Sequence, residues 1–348
     1  MNHTESPHIF SMFNSQWYNK LYPFPCQLFK QEVHMKYTQL GKTDLIVSRI
    51  CFGCWQLSPK FWGQISIDDW NLALLKAIDC GINFIDTAQA YGDGFAEKVL
   101  GDFLEKNKCR KNLIIATKFF WNIENPENRY PDTDYNYIIS ECEASLKRLK
   151  TDYIDLYQIH AWDSLTKPDE VASALLKLKK DGKIRWIGVS NLNVHQMRMY
   201  MRYFEINCLQ PLYNILDRQA EQELFPFCLE KRIGVITYST LARGLLAGKY
   251  TGDEKFSDSR ANHPRFTGEN FKKIITAINT YMKPVAEQLS ITVPELAIRW
   301  VLTHPAVTSA IVGIKKPEHI ETIKKAADDV LDRKLWYKLA DDIKNATQ

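Results

Sequence analysis

Four residues stand out for the chemistry their types allow: Asp86 in NFIDTA, Tyr91 in QAYGDG, Lys118 in LIIATK and His160 in YQIH. Three of them close short apolar runs, where an ionisable group needs a partner that offsets its desolvation. A lysine ammonium beside a phenol stabilises the phenolate, which predicts a Tyr91 pKa drawn down from about 10 toward the working range. Asp86 is expected to hold Lys118 charged and in place. His160 can donate a hydrogen bond to a carbonyl oxygen and turn it toward Tyr91. Together they suit proton delivery to the oxyanion that develops as a carbonyl is reduced. Singly, each also has a structural reading, as a rim ion pair or a packed ring. Only their joint placement points to chemistry.

That placement requires the elements carrying them to lie side by side. From Lys36, KYTQL and IVSRI read as short strands joined by the turn-like GKTD, a hairpin. Apolar runs then alternate with segments at helical spacing. RICFGCW precedes 68–80, NFIDTA precedes 95–106, LIIATK precedes 134–149 and YIDLYQIH precedes 169–180. IRWIGVSN precedes 194–203, CLQPLYN precedes 220–231, GVITYST precedes a long loop and 271–289, and TSAIVGI precedes 317–326. Gly81, Gly182 and Gly234 read as helix stops, and Asp68, Pro168 and Pro317 as helix starts. Eight such units predict an α/β fold, a (β/α)8 TIM barrel with an N-terminal β-hairpin, spanning 35–348 as one domain. An open doubly wound sheet is the runner-up, but its GxGxxG turn is missing. In a barrel, the chemistry lies at the C-terminal ends of the strands, where Asp86, Lys118 and His160 fall on consecutive strands.

Composition narrows the class. The chain has 348 residues, 45% hydrophobic and 25% charged, with a net charge of +4 and no block of like charges. That is ordinary globular composition, and it argues against disorder, nucleic acid or an anionic membrane as partner. Eight scattered cysteines are too sparse for a disulfide framework, so reduced thiols are expected. Cys51 and Cys54 form a CxxC in an extended stretch, where residues three apart face opposite sides. No stretch approaches the ~18 apolar residues of a membrane span and no signal-like run opens the chain, which favours the cytoplasm. Residues 1–34 read as an N-terminal extension, aromatic and aperiodic. They are a mis-chosen start before Met35, a loose tail, or an arm docking through Trp17, Tyr18, Tyr22 and Phe24.

Carbonyl reduction needs a hydride source, and the late strands supply candidates for holding a nicotinamide. Ser190 and Asn191 suit a carboxamide, Gln210 lies one strand on, and Tyr238 offers a ring face for a flat heterocycle. Backbone N–H groups near Gly244, with Lys249 and Arg260, can meet a pyrophosphate. Lys315 and Lys316 precede a helix after the last strand, a usual phosphate seat in a barrel. Trp55, Phe119, Phe120, Trp121 and Trp162 suggest an apolar substrate wall, with Asn122, Arg129 and Asp163 as polar handles.

From Met35 to about residue 345 the chain resembles the aldo/keto reductase superfamily. The motifs GINFIDTAQAYGDGFAEKVLG, IIATK, YIDLYQIH, IRWIGVSN, QPLYN, YSTLARGLLAGKY and IVGIKKPEHI occur in that family's order. The resemblance implies a catalytic tetrad at Asp86, Tyr91, Lys118 and His160, Tyr91 as proton donor, NADP(H) as cofactor and a small-molecule carbonyl as substrate. It implies cofactor contacts at Cys54, Trp55, Gln64, Asp86, Ser190, Asn191, Gln210, Tyr238, Ser239, Leu241, Gly244, Lys249, Arg260, Gly313 and Lys315, and Lys316 and His319 join them as candidate contacts. YSTLARGLLAGKY and WGQIS resemble the branch holding bacterial aldo/keto reductases and potassium channel β subunits. Three departures mark this chain: Cys54 in place of Thr, Ser239-Thr240-Leu241 in place of Ser-Pro-Leu, and His319, Thr322 and Ile323 in place of Gln, Glu and Asn. The last set predicts adenine contacts weaker by roughly 1 kcal/mol each, with Lys315 and Lys316 still favouring a 2′-phosphate. The alternative function is a cofactor-binding regulatory subunit like the channel β subunits, where the position of His160 resembles Asn.

Overall fold

The computed structural model describes residues 35–125 and 127–348; the extension at 1–34 lies outside the described residues. Tyr37–Gln39 (β1) and Ile46–Ser48 (β2) pair antiparallel as the expected hairpin. The remaining strands in chain order are Ile50–Gly53 (β3), Phe84–Asp86 (β4), Ile114–Phe119 (β5), Trp121–Asn122 (β6), Tyr130–Pro131 (β7), Ile154–Ile159 (β8), Ile184–Ser190 (β9), Cys208–Gln210 (β10), Gly234–Thr237 (β11) and Ser309–Gly313 (β12). Eight of these, β3, β4, β5, β8, β9, β10, β11 and β12, close into a barrel. All its neighbours are parallel, the (β/α)8 arrangement read from the sequence.

Alternation along each strand sorts the core into two layers. Cys51, Phe84, Ala116, Leu156, Cys208, Ile236 and Ile311 pack inside the barrel with Leu40, Leu45 and Val47 of the hairpin. Phe52, Ile85, Ile115 and Tyr157 point the other way, into the larger core between strands and helices. Two residues further along four strands, at the same inward parity, stand Asp86, Lys118, Gln158 and Gln210. The barrel interior therefore changes from an apolar layer to a polar one on approaching its C-terminal mouth.

Helix boundaries follow local chemistry. The Ser66 side chain accepts from the N–H of Asp69 and starts Ile67–Asp79, and Asp134 accepts from Tyr137 and starts Tyr135–Leu149. Gly81 and Gly182 take positive φ after their helices, as expected. Gly234 does not: the left-handed cap there is Arg232, and Gly234 is small because the hairpin crosses it. A Cβ at Gly234 would lie 2.5 Å from Leu40. The segment expected at 271–289 is Gly268–Ala277, a wide turn at Ile278–Met282 and Lys283–Gln288. The last expected helix is only Pro317–Glu321. Helices Val293–Thr303 and Arg333–Thr347 and the small β6–β7 hairpin were not anticipated. No described helix is long and apolar enough to cross a membrane.

Candidate active site

Lys118 is fully buried at the centre of the polar layer. Its ammonium donates to Asp86 Oδ1 at 2.6 Å, to the Thr87 carbonyl at 2.8 Å and to the Tyr91 hydroxyl at 3.3 Å. Asp86 Oδ2 accepts from Gln210 Nε2 at 2.8 Å and from Gln158 Nε2 at 3.3 Å. The aspartate is thus saturated by one cation and two carboxamides, as a buried charge requires. Burial pushes the Lys118 ammonium toward deprotonation, but Asp86 and Tyr91 more than offset this and hold it cationic.

Tyr91 projects into the mouth from the turn after β4, half-buried, with its ring centroid 6.0 Å from that of His160. Its phenol corrects the sequence expectation. Burial pushes it up to about 12, and the Lys118 charge opposes this without reversing it. The group is held protonated at neutral pH rather than acidified. Burial, then the Lys118 charge, drive His160 down to about 3, so its imidazole is neutral. His160 Nδ1 is buried and has no partner among the described residues.

The late-strand residues gather on the other side of His160. Asn191 sits in the left-handed region at φ 58°, its Nδ2 donating to the His160 carbonyl at 3.0 Å and to Ser190 Oγ at 3.1 Å. The Tyr238 hydroxyl donates to Asn191 Oδ1 at 2.8 Å, and Ser190 Oγ donates to the Gln210 carbonyl at 2.8 Å. Ser190, Asn191, Gln210 and Tyr238 are thereby brought together, with the Gln210 carboxamide committed to Asp86. After Tyr238 the backbone takes positive φ at Ser239, Ala242, Arg243 and Gly244, an unusual run for non-glycine residues, in which the Ala242 and Gly244 N–H groups donate within the loop to the Ser239 and Leu241 carbonyls at 2.7 and 2.8 Å.

Around this loop cations outnumber carboxylates. Arg243 lies 5.2 Å from the Trp55 ring, Lys249 5.3 Å from Tyr250 and Lys315 4.8 Å from Trp62. None of these, nor the exposed Lys316, has an ion-pair partner among the described residues. Arg260 differs from expectation: both arms of its guanidinium grip Asp258, at 2.9 and 2.6 Å, and its Nη1 donates to Tyr250 at 2.8 Å. His319 Nδ1 accepts from the Lys315 N–H at 3.2 Å. With only five residues, the helix at 317 offers little dipole, so the charge here comes from side chains. Cys54 is buried, its thiol raised by burial, and its N–H donates to the Asp86 carbonyl at 2.9 Å. Gln64 is exposed beyond the helix Pro59–Trp62, Leu241 caps the loop's first turn, and Gly313 ends β12 beneath the Gln56 carboxamide.

The expected substrate wall is redistributed. Phe119 stacks on Tyr157 behind the barrel wall, with centroids 4.8 Å apart, and does not reach the mouth. Trp162 packs on Tyr200, and Trp121 stays partly exposed beside Phe120. Asn122 and Asp163 are used internally, by Tyr130 and Asp132 and by Thr133 and Thr166. Arg129 pairs with Asp93 and is not a free handle. Gln158 was missed, although its inward parity two residues after Leu156 was readable in YIDLYQIH.

The aldo/keto reductase family model matches residues 49–341. The chain belongs to the aldo/keto reductase family. This aldo/keto reductase is 35% identical to aldo-keto reductase YhdN of Bacillus subtilis, covering 84% of this chain and 88% of that one. It is 36% identical to the NADH-specific methylglyoxal reductase of Escherichia coli, covering 82% and 91%. It is also 32% identical to a probable voltage-gated potassium channel subunit beta of Arabidopsis thaliana, covering 84% and 92%. Among solved structures it superposes on a glycerol dehydrogenase from Gluconobacter oxydans with a TM-score of 0.81 at 33% identity, covering 89% and 95%. Its barrel mouth joins the hydrogen-bonded Asp86–Lys118–Tyr91 chain at β4 and β5 to a cation-rich rim at β11 and β12.

Proposed function

We propose that this aldo/keto reductase is an NADP(H)-dependent carbonyl reductase that converts an aldehyde or ketone to an alcohol, with Tyr91 as proton donor. The observation that carries this reading is the Asp86–Lys118–Tyr91 chain, 2.6 and 3.3 Å between partners, which runs from a buried ion pair to a half-buried, protonated phenol beside a neutral imidazole. The residues present fit the dinucleotide. Asn191 and Ser190 suit a carboxamide, Tyr238 a flat ring, and the left-handed loop at 239–244 with Lys249, Lys315 and Lys316 suits phosphates. The orphaned His160 Nδ1 is a further polar atom in need of a partner at this mouth.

When bound, NADPH supplies a hydride to the carbonyl carbon. The chain's own residues handle the rest. His160, neutral and therefore carrying a single ring N–H, orients the carbonyl oxygen. Tyr91 donates its hydroxyl proton to the developing alkoxide, and the Lys118 charge steadies the phenolate left behind. Asp86 keeps that charge in place and keeps the layer close to neutral.

The test is loss of NADPH absorbance with a panel of small carbonyls, with NADH alongside. Tyr91→Phe is expected to lower turnover by about a thousandfold while leaving NADPH affinity within about twofold. Undiminished turnover in that variant would remove the proton donor. The likeness to channel β subunits supports a second reading, a regulatory barrel that binds the dinucleotide and reports to a membrane partner. It predicts negligible turnover across the panel together with capture from membranes that depends on residues 1–34.

A further inference from the structure

The segment carrying Tyr91 is fastened on both sides to groups that never reach the mouth. Upstream, Gln89 Nε2 donates to the Trp121 carbonyl at 2.5 Å, and its N–H donates to the Lys118 carbonyl at 3.3 Å. Downstream, the Tyr91 carbonyl accepts from the Ala96 N–H at 3.1 Å, next to Glu97, which is fully buried. Glu97 Oε1 accepts from Thr117 Oγ1 at 2.5 Å, and its Oε2 accepts from Arg148 Nε at 2.7 Å. Thr117 directly precedes Lys118 on β5, so this carboxylate ties the strand of the ammonium to the helix that follows the phenol.

Arg148 closes the assembly. Its other arm pairs with Glu141, and its Cδ lies 2.5 Å from where a Cβ on Gly94 would stand. The Tyr91 turn passes over the arginine at a position where only glycine fits, at φ 85°. Glu141 in turn lies 3.4 Å from the Tyr137 hydroxyl, which donates to the same Trp121 carbonyl that Gln89 uses. The network therefore touches the Tyr91 segment before and after the phenol, and β5 one residue before the ammonium.

We propose that Thr117, Glu97 and Arg148 form a positioning unit that sets the separation of Tyr91 from Lys118. The proposal rests on the reductase reading above. The contact it governs is 3.3 Å, at the long end for a hydrogen bond, and proton delivery depends on alignment at the scale of tenths of an ångström.

Thr117→Val is the informative variant, because it keeps the shape of the side chain and deletes only the hydroxyl that reaches Glu97. Arg148→Lys keeps the charge between the two carboxylates but loses the two-armed grip. Three measurements are made on each variant: turnover with a carbonyl, NADPH affinity by tryptophan quenching, and the Tyr91 titration read as the ultraviolet difference from the matching Tyr91→Phe protein. Thr117→Val is expected to lower kcat about tenfold, hold NADPH affinity within about twofold, and move the Tyr91 titration to higher pH as the ammonium withdraws. Arg148→Lys should fall between it and the unmodified protein. A lower melting temperature with unchanged kcat and an unchanged Tyr91 titration would overturn the proposal and leave the network as ordinary core. If the unmodified protein turns over no carbonyl, the reductase reading fails by itself, and the titration still decides the positioning role.

Discussion

Burial and a neighbouring charge pull the ionisation of Tyr91 in opposite directions, and the stronger of them, burial, is the one that sequence alone does not report. The Lys118 ammonium favours the phenolate, but removing a charged oxygen from water costs more, and the phenol is pushed up to about 12. A donor must hold its proton, so the reductive rate should be full below that pKa and lost as pH rises through it. His160 has the opposite sign: burial and the Lys118 charge push it down to about 3, so it stays neutral until pH falls toward that value. The expected kcat profile for reduction is therefore flat between about pH 5.5 and 9, with no inflection near the ordinary histidine pKa of about 6.5. Steady-state rates across that range check it. A step near 6.5 that vanishes in His160→Gln would mean that the imidazole titrates normally and that the site is wetter than its burial implies.

At the scale of elements, the proposed preference for NADP(H) rests on the loop after β11 and the turn after β12. Arg243, Lys249, Lys315 and Lys316 form no ion pair among the described residues, while Arg260 is already neutralised by Asp258, whose charge acts on Lys315 only from a distance. Unpaired cations held near one another favour a ligand with more phosphate charge, and the preference weakens with salt. NADPH is therefore expected to bind more tightly than NADH at low ionic strength. Lys315→Ala should reduce that ratio about tenfold, whereas Arg260→Ala should act mainly through the loop that Asp258 anchors. Fluorescence titrations with both dinucleotides at two salt concentrations read the difference; an unchanged ratio in Lys315→Ala would place the 2′-phosphate elsewhere.

The same elements show what the sequence made legible. The barrel strands were readable because period-2 alternation and helical spacing are local signals, and Asp86, Lys118 and His160 fell at strand ends for that reason. Pairings across the fold left no local trace. Asp93 claims Arg129 and Asp163 claims Thr133, whereas the Asp258–Arg260 pair, two residues apart, was open to reading and was overlooked. Gly234 looked like a helix stop, yet its size is dictated by a hairpin nearly 200 residues earlier in the chain. The helix Arg333–Thr347 lies after the last strand–helix unit and was not anticipated, although its Trp336 stacks on Trp300 of Val293–Thr303 at 4.8 Å.

Over the described residues as a whole, the hairpin's apolar layer and the proposed site lie at opposite ends of the barrel. Leu40, Leu45 and Val47 of the hairpin are buried with inward residues of seven barrel strands, closing the end away from Tyr91. Gly41, in the hairpin turn, takes φ 57° and comes so close to the barrel that a Cβ would stand 2.6 Å from the Gly234 nitrogen and 2.9 Å from the Arg232 carbonyl. Those are backbone atoms and have little room to give. Removing a fully buried leucine side chain costs about 2–5 kcal/mol through lost burial and the cavity left behind. Leu40→Ala should accordingly lower the urea midpoint with its slope unchanged, while kcat and KM of the folded protein stay within about twofold of the parent. The hairpin's side chains meet Cys51, Phe84, Ala116 and Leu156, which stand between them and the Asp86–Lys118 layer on the same strands. The surroundings of a void relax only partially, so the cost of the truncation stays largely in the cavity at the hairpin, and with a full apolar layer between it and the Asp86–Lys118 layer the defect should not reach the phenol. A drop in kcat matching the loss of stability would show instead that the two ends are mechanically coupled, and that the apolar layer transmits the strain.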